Sequence, residues 1–376
     1  MTALPAIGRA QTQQQAKPTG SEPSPEPAVP AILAAFDKYE VVGMPEAHGF
    51  KDQDDFILSL IRNPDFPKKV NDIAVECGNS LYQPLLDRYI AGEDVPFTEV
   101  RRVWRNTTQA MCGTSGFFEQ FFPLVRAINR KLPPAERLRV LAGDPPIDWD
   151  KVANFQDRSE STDRDASIAS VMEKEVLAKH RKALMLFGTF HLFHGQAKSG
   201  MSRNAVSIYE EDYPNVTFVI SDLLMFNADS LALPGSPFAG WPIPSIARAK
   251  GTWMGALDLG HFSPPLIMID QDCNIQNGFP KGVQKPMADL VDAFLYLGPQ
   301  GLALWEKMPA DIALDVDYRK ELRRREALSG FPGEQESDQD IVNDAEDPVV
   351  AVPPPPDTKL MVQDCIERKR RSSAPK

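Results

Sequence analysis

Glu46 and His48 stand two residues apart, directly after the apolar run Val41-Val42-Gly43-Met44-Pro45. A carboxylate that orients an imidazole makes a competent proton acceptor. Three further apolar stretches end in the same way. Glu76 follows residues 72–75, Asp144 follows residues 137–142, and His191 follows residues 183–188, with His194 three residues on. Of the five histidines, three fall at such ends. If these strands run parallel, their carboxyl ends share one edge of a sheet, which is where ligands bind in α/β proteins.

Two chemistries use such a set. In one, His48 and His191 give neutral nitrogens to a divalent metal ion and Glu76 or Glu46 gives oxygen. The ion polarises a carbonyl and lowers the pKa of its bound water. In the other, no metal is needed: a histidine held by a carboxylate takes a proton from water and directs hydroxide at an ester or lactone. The Glu-x-His spacing does not fit the helical H-E-x-x-H zinc motif.

Each residue also has a structural use. Glu46 suits the cap of a helix beginning near Phe50, and backbone groups alone can satisfy His48. A carboxylate beside a core needs a partner, and Arg102 or Arg105 would serve Glu76. Asp144 stands before two prolines and suits a turn. One of His191 and His194 can face the site while the other faces the core. Arg105, Asp144 and His194 are the candidates for contacts to substrate. His180 suits a helix C-terminus at the surface, and His261 is isolated.

The elements that must position these residues follow from periodicity. Residues 40–43, 72–75, 137–142, 183–188, 216–220, 266–269 and 293–297 read as strands. Helical stripes fall at 28–39, 52–62, 81–89, 99–108, 117–131, 163–182 and 204–211, with closing helices at 300–308 and 317–328. Alternating strands and helices imply an α/β fold with a mostly parallel central sheet and helices on both faces. Residues 227–265, rich in Pro and Gly, read as a long loop insertion. Its Trp241 and Trp253 suit a cover over an apolar substrate. Residues 1–29 and 329–376 read as disordered tails, leaving 30–328 as one α/β domain. The C-terminal run Arg368-Lys369-Arg370-Arg371 suits a solvated tail, or an anionic partner.

The chain has 376 residues, 42% of them hydrophobic, which is ample for a core. A net charge of -11 and a pI near 5.1 argue against a nucleic-acid-binding surface. No stretch approaches the roughly 20 apolar residues of a membrane span. Four cysteines, widely spaced and without a C-x-x-C pair, weigh against a disulfide scaffold or a zinc knuckle. Cys77 suits either a buried packing residue or a nucleophile. The first dozen residues look like the end of a signal peptide but lack its basic and full apolar regions. Periplasmic or secreted and cytoplasmic locations therefore stand equal, and the oligomeric state is open.

The motifs Gly43-Met44-Pro45-Glu46-Ala47-His48-Gly49, Ala74-Val75-Glu76 and Gly188-Thr189-Phe190-His191-Leu192 resemble the erythromycin esterase/ChaN-like/TIKI (TraB) superfamily, over roughly residues 35–300. Within it, Val75-Glu76-Cys77-Gly78-Asn79 and Val103-Trp104-Arg105-Asn106-Thr107-Thr108-Gln109 look like hallmarks of a bacterial branch. Met44-Pro45 departs from the family's Gly directly before Glu, and the Pro-rich loop has no family counterpart. The resemblance implies a site at Glu46, His48, Glu76 and His191. Its members differ in chemistry: metal-independent lactone hydrolases, metal-dependent proteases, and haem-binding proteins. A small-molecule or peptide substrate is then the expected partner, and one divalent metal ion the expected cofactor if there is one, with haem ranked below it. For a haem-binding scaffold without turnover, Tyr82 and Tyr89 are candidate axial ligands beside the histidines.

Overall fold

The computed structural model describes residues 17–154, 163–195, 203–226, most of 231–328 and scattered positions elsewhere. Its centre is a sheet of eight strands. In chain order these are β1 (Glu26–Pro27), β2 (Val41–Pro45), β3 (Asp72–Asn79), β4 (Arg139–Asp144), β5 (Ala183–Phe187), β6 (Thr217–Asp222) and β7 (Ser245–Arg248). A separate hairpin of β8 (Ile267–Ile269) and β9 (Ile275–Asn277) precedes the last, β10 (Ala293–Tyr296). The order across the sheet is β1-β7-β10-β6-β2-β5-β3-β4. From β10 to β4 every neighbour is parallel; only β7, between β1 and β10, runs against them.

The apolar runs are continuous because both faces of the sheet are covered. Successive residues point to opposite sides. Val42, Ile73, Val75, Leu184 and Leu186 join a core with Phe56, Trp104, Phe117 and Phe121. Val41, Ala74, Ala183, Met185 and Phe187 join a second core with Ile168, Met172, Tyr209 and Trp253. The alternation fixes register, since a one-residue slip would exchange the two cores.

Several expectations shift. The helix expected over 99–108 is two short turns, Phe97–Val100 and Arg102–Arg105, and that over 163–182 stops at Glu175. Residues 227–265 contain β7, hidden in the sequence between Pro242, Pro244 and the charges that follow. The strand expected near 266–269 pairs only with β9. In place of a helix over 300–308 there is a single turn, Gln300–Leu302, and a short strand, Leu304–Trp305. The segment expected to be disordered up to residue 29 contains β1, and Ser21 bridges to Thr252. Residues 1–16 and most of the C-terminal tail, with three residues of its basic run, lie outside the described residues.

All four cysteines are paired, as Cys77–Cys112 and Cys273–Cys365. This corrects the reading drawn from their spacing. Separations of 35 and 92 residues leave no local pattern to read. The pairing also removes Cys77 as a nucleophile in this form. Trp253 is 1% exposed in the second core and donates its indole N–H to Glu22. Trp241 packs on Phe238 and Tyr296. Both tryptophans are thus packing residues rather than a cover over a ligand.

Candidate functional site

β2, β5, β3 and β4 are neighbours, so their carboxyl ends lie side by side. The N–H of Glu46 donates to Phe187 O at 3.1 Å, which ties the end of β2 to that of β5. The chain then turns sharply. His48 has φ of +36°, in the left-handed region that non-glycine residues avoid. Two side chains hold this turn: Glu46 Oε1 accepts from His48 N at 2.8 Å and Gln53 Oε1 from Ala47 N at 2.6 Å. Glu46 therefore caps the turn itself. The helix Lys51–Arg62 begins at Phe50 without a side-chain cap.

The other oxygen of Glu46 lies 2.9 Å from His48 Nδ1 as an ion pair. His48 Nε2 faces Glu76 Oε1 at 3.7 Å. Glu76 sits where β3 slips register against β4, between Val75 and Asn79. The irregularity re-aims the strand end. Gly78 belongs to it: a Cβ there would meet Ala142 Cα at 2.7 Å. Glu76 Oε2 accepts from Gly188 N at 2.5 Å, and a Cβ on Gly188 would come within 3.2 Å of that oxygen. These two glycines let the strand end and the β5 loop close around the carboxylate.

Arg164, at the start of the helix Arg164–Glu175, fills the centre. Its Nη2 donates to Glu76 Oε1 at 2.6 Å and its Nε to Asp144 Oδ1 at 3.1 Å. Asp144 is fully buried and also accepts from Thr108 N and Oγ1. Gln109 turns its amide oxygen to Arg164, 2.7 Å from Nη1. His191 Nε2 lies 3.3 Å from Arg164 Nη1 and 3.5 Å from Glu76 Oε1, while its Nδ1 pairs with Asp165 Oδ1 at 2.7 Å. Asp165 also accepts from Ala205 N.

The charges are strongly interdependent. Burial alone would lower the pKa of His48, but Glu46 and Glu76 hold it well above its ordinary value. Burial likewise opposes the charge on His191, and Asp165 and Glu76 carry its pKa to about 9. Burial would raise Glu76; hydrogen bonds from His191 and His48 keep it well below the carboxylate range. Burial raises Asp144 against the pull of Arg164 and Thr108. Both imidazoles are therefore predominantly charged at neutral pH.

Glu46, His48, Glu76, His191 and Asp144 thus come together. Asp144 is an anchor for Arg164 rather than a turn residue. Arg105 pairs with Glu119 and Asp311 and joins none of these side chains. His194 leaves in another direction, to Glu210 at 2.9 Å and Asp292 at 3.0 Å. Tyr82 accepts at its hydroxyl from Arg102 and Asn106, and Tyr89 packs on Phe97 under Arg126. His180 is exposed beside Glu40, and His261 pairs with Asp258. The sequence reading missed Arg164 and Asp165, and it named Thr108 and Gln109 only within the branch motif Val103–Gln109, not as site residues. For Arg164 and Asp165 the local signal was the Arg-Asp pair opening a helix after Asp163, whose side chain caps it by accepting from Ala166 N.

The donor set His48, Glu76 and His191 does not fit a metal ion. The guanidinium of Arg164 already directs one N–H at Glu76 Oε1 and another nitrogen at His191 Nε2, so the cation among these groups is the protein's own. A second set, Glu46, His48 and Cys77, has its ligand atoms within 4.8 Å of one another, but the Cys77 sulfur is bonded to Cys112. A disulfide sulfur is not a thiolate ligand.

The site and sheet together define an α/β protein with a histidine–carboxylate–arginine cluster at the carboxyl edge of its parallel strands. No family model matches the sequence, and no curated protein matches it. Solved structures do. An erythromycin esterase in its open conformation is similar at 12% identity and a TM-score of 0.44, covering 73% of this chain and 94% of its own. A Bacillus cereus protein is similar at 11% identity and 0.46, covering 75% and 94%. A haem-binding ChaN of Campylobacter jejuni is similar at 12% identity and 0.32, covering 51% and 84%. Two of these bear names from the superfamily that the sequence motifs resemble.

Proposed function

We propose that the chain is a hydrolase of esters or lactones in which His48 activates water without a metal ion. The observation that carries this reading is the placement of His48 between two buried carboxylates, Glu46 at 2.9 Å and Glu76 at 3.7 Å, at the open end of the parallel strands. Glu46 fixes the Nδ1 side of the ring and leaves Nε2 directed at the cluster. With His48 in its neutral form, Nε2 takes a proton from a water molecule and the hydroxide oxygen bonds to the substrate's carbonyl carbon. The carbonyl oxygen becomes an oxyanion, which Arg164 and His191 stabilise through their positive charge. As the carbon–oxygen bond to the leaving alcohol breaks, the His48 imidazolium returns the proton to that oxygen, and carboxylic acid and alcohol depart. Glu76 is the positioning residue: bound to Arg164 and Gly188, it keeps His48, His191 and the guanidinium at fixed spacing.

The test is a panel of aryl and alkyl esters and lactones assayed with wild type and His48→Asn. Asparagine tolerates the left-handed backbone that position 48 requires. Turnover by wild type, lost per folded molecule in a variant that keeps a cooperative unfolding transition, supports the reading. Turnover that survives the substitution, or that a chelator abolishes and a divalent metal restores, defeats it.

A further inference from the structure

We propose that opening the Cys77–Cys112 disulfide creates a zinc site from Glu46, His48 and Cys77, which the closed disulfide withholds. The three donors are already gathered. Glu46 Oε2 is 2.9 Å from His48 Nδ1, and His48 Nδ1 is 3.9 Å from Cys77 Sγ. A tetrahedral zinc ion with ordinary bonds to oxygen, nitrogen and sulfur sets such donors about 3.4–3.6 Å apart. The oxygen has to move away from His48 by about half an ångström and the sulfur toward it by a few tenths, and the oxygen–sulfur gap, within 4.8 Å, has to settle near about 3.6 Å, all by side-chain torsions.

Two independent features point to a cation. Glu46 is 1% exposed, and beyond the 2.9 Å ion pair with His48 Nδ1 its Oε2 accepts no hydrogen bond of good geometry, so a buried carboxylate oxygen keeps lone-pair capacity beside Cys77. On the far side of the ring, His48 Nε2 faces Glu76, the carboxylate partner that histidine ligands of metals commonly have on their second nitrogen. Water reaches the site along the partly exposed His48 ring and supplies the fourth ligand.

The switch is the sulfur. While bonded to Cys112 it has no thiolate to offer. A dithiol reductant delivers two electrons and two protons, leaves as its own disulfide, and yields two thiols. Cys77 then releases its proton to solvent as its sulfur binds zinc. The same change frees Cys112 and the residues before it. Thr108 and Gln109, four and three positions earlier, hold Asp144 and Arg164. The zinc site does not depend on the hydrolase reading. Its consequence does: with zinc on Nδ1 the ring's one proton sits on Nε2, facing Glu76, so Nε2 has no lone pair to act as the base and the reduced, zinc-loaded protein is inactive.

The experiment titrates cobalt(II), as a spectroscopic stand-in for zinc, into purified Cys112→Ser, oxidised wild type and the double variant Cys77→Ser/Cys112→Ser. Cys112→Ser is expected to show a thiolate-to-cobalt charge-transfer band saturating at one metal per chain, displaced by zinc. Its zinc affinity is expected to exceed that of oxidised wild type on the order of 100-fold. The double variant and oxidised wild type show no band. If Cys112→Ser does not fold, Cys273→Ser/Cys365→Ser protein reduced by a phosphine, which is removed before metal is added, takes its place and must show the same band. No band in either free-thiol form, an equal band in oxidised wild type, or a band that survives loss of Cys77 each overturns the proposal. Because the readout is metal binding, it stands apart from whether any ester is hydrolysed.

Discussion

His191 and His194 are three residues apart, both lie past the same strand, and both have a pKa raised to about 9. In each case burial opposes the charge and two carboxylates overcome it. Their surroundings nevertheless differ in kind. His194 gives one ring nitrogen to Glu210 and the other to Asp292, whose Oδ2 also accepts from Val219 N. The ring is used up: it clamps the loop after β5 to the base of β6 and the approach to β10. His191 has a short contact on one nitrogen only, Nδ1 to Asp165. Its Nε2 faces Glu76 and Arg164 at 3.5 and 3.3 Å, at the mouth of the cluster. A shifted pKa reports a field of charges; a ring nitrogen held only by long contacts, and so able to turn to a substrate, is what chemistry requires.

The comparison breaks most readily at His48, which belongs with His191. His48→Asn is expected to reduce kcat/KM by about 10²–10⁴-fold, the usual scale for losing a general base. It also takes the positive charge from between the buried carboxylates Glu46 and Glu76, so stability should fall as well and activity is compared per folded molecule. His194→Ala should lose stability alone. It strands Glu210 and Asp292, and breaking a partly buried ion cluster from one side costs about 3 kcal/mol. Turnover per folded molecule should be kept. Urea denaturation and ester kinetics on the two variants settle the matter. A His194→Ala protein that is stable but inactive would merge the two regions into one.

A pH series sharpens the same contrast without mutation. His194 has a folded pKa above its unfolded one, so the stability it contributes is complete below about pH 6.5 and is lost as the pH rises through about 9. Stability should therefore decline across that window, and His194→Ala should decline less. Catalysis should run the other way. His48 is held charged at neutral pH and becomes a base only on losing its proton, so kcat/KM should rise from neutral into the alkaline range. A rate that falls over this range would assign His48 the role of acid instead.

What could be read from the sequence follows the range of the interactions. The strand-end residues Glu46, Glu76, Asp144 and His191 were visible because apolar runs and their breaks are local, and parallel strands then bring the ends together. Arg164 was not visible. It enters the cluster across 88 positions of chain from Glu76, and nothing near residue 164 records that distance. The cysteine pairs failed for the same reason. The aromatic residues of 227–265 misled in another way. Phe226, Phe238, Trp241, Phe262, Phe294 and Tyr296 pack on one another, and a sequence does not distinguish aromatic rings that cover a ligand from rings that cover a sheet.

The smallest expected effect concerns a charge removed by protonation rather than by pairing. Asp54 lies behind Glu46 with 2% exposure, and burial, then Glu46 and Glu306, push its pKa to about 10. It is therefore a neutral acid at pH 7, which spares Glu46 a like-charged neighbour. The folded chain keeps a proton here that the unfolded chain releases above about pH 4, so folding loses stability as the pH climbs from there toward 10. Asparagine has nearly the same shape and nothing to release. Asp54→Asn should leave stability at pH 5 within about 1 kcal/mol of wild type and reduce its decline between pH 5 and pH 8. Denaturation midpoints at the two pH values measure this. A variant that loses much more stability at pH 8 than at pH 5 would mean that Asp54 is ionised and paired, which would give the buried end of the site the same kind of clamp that holds His194.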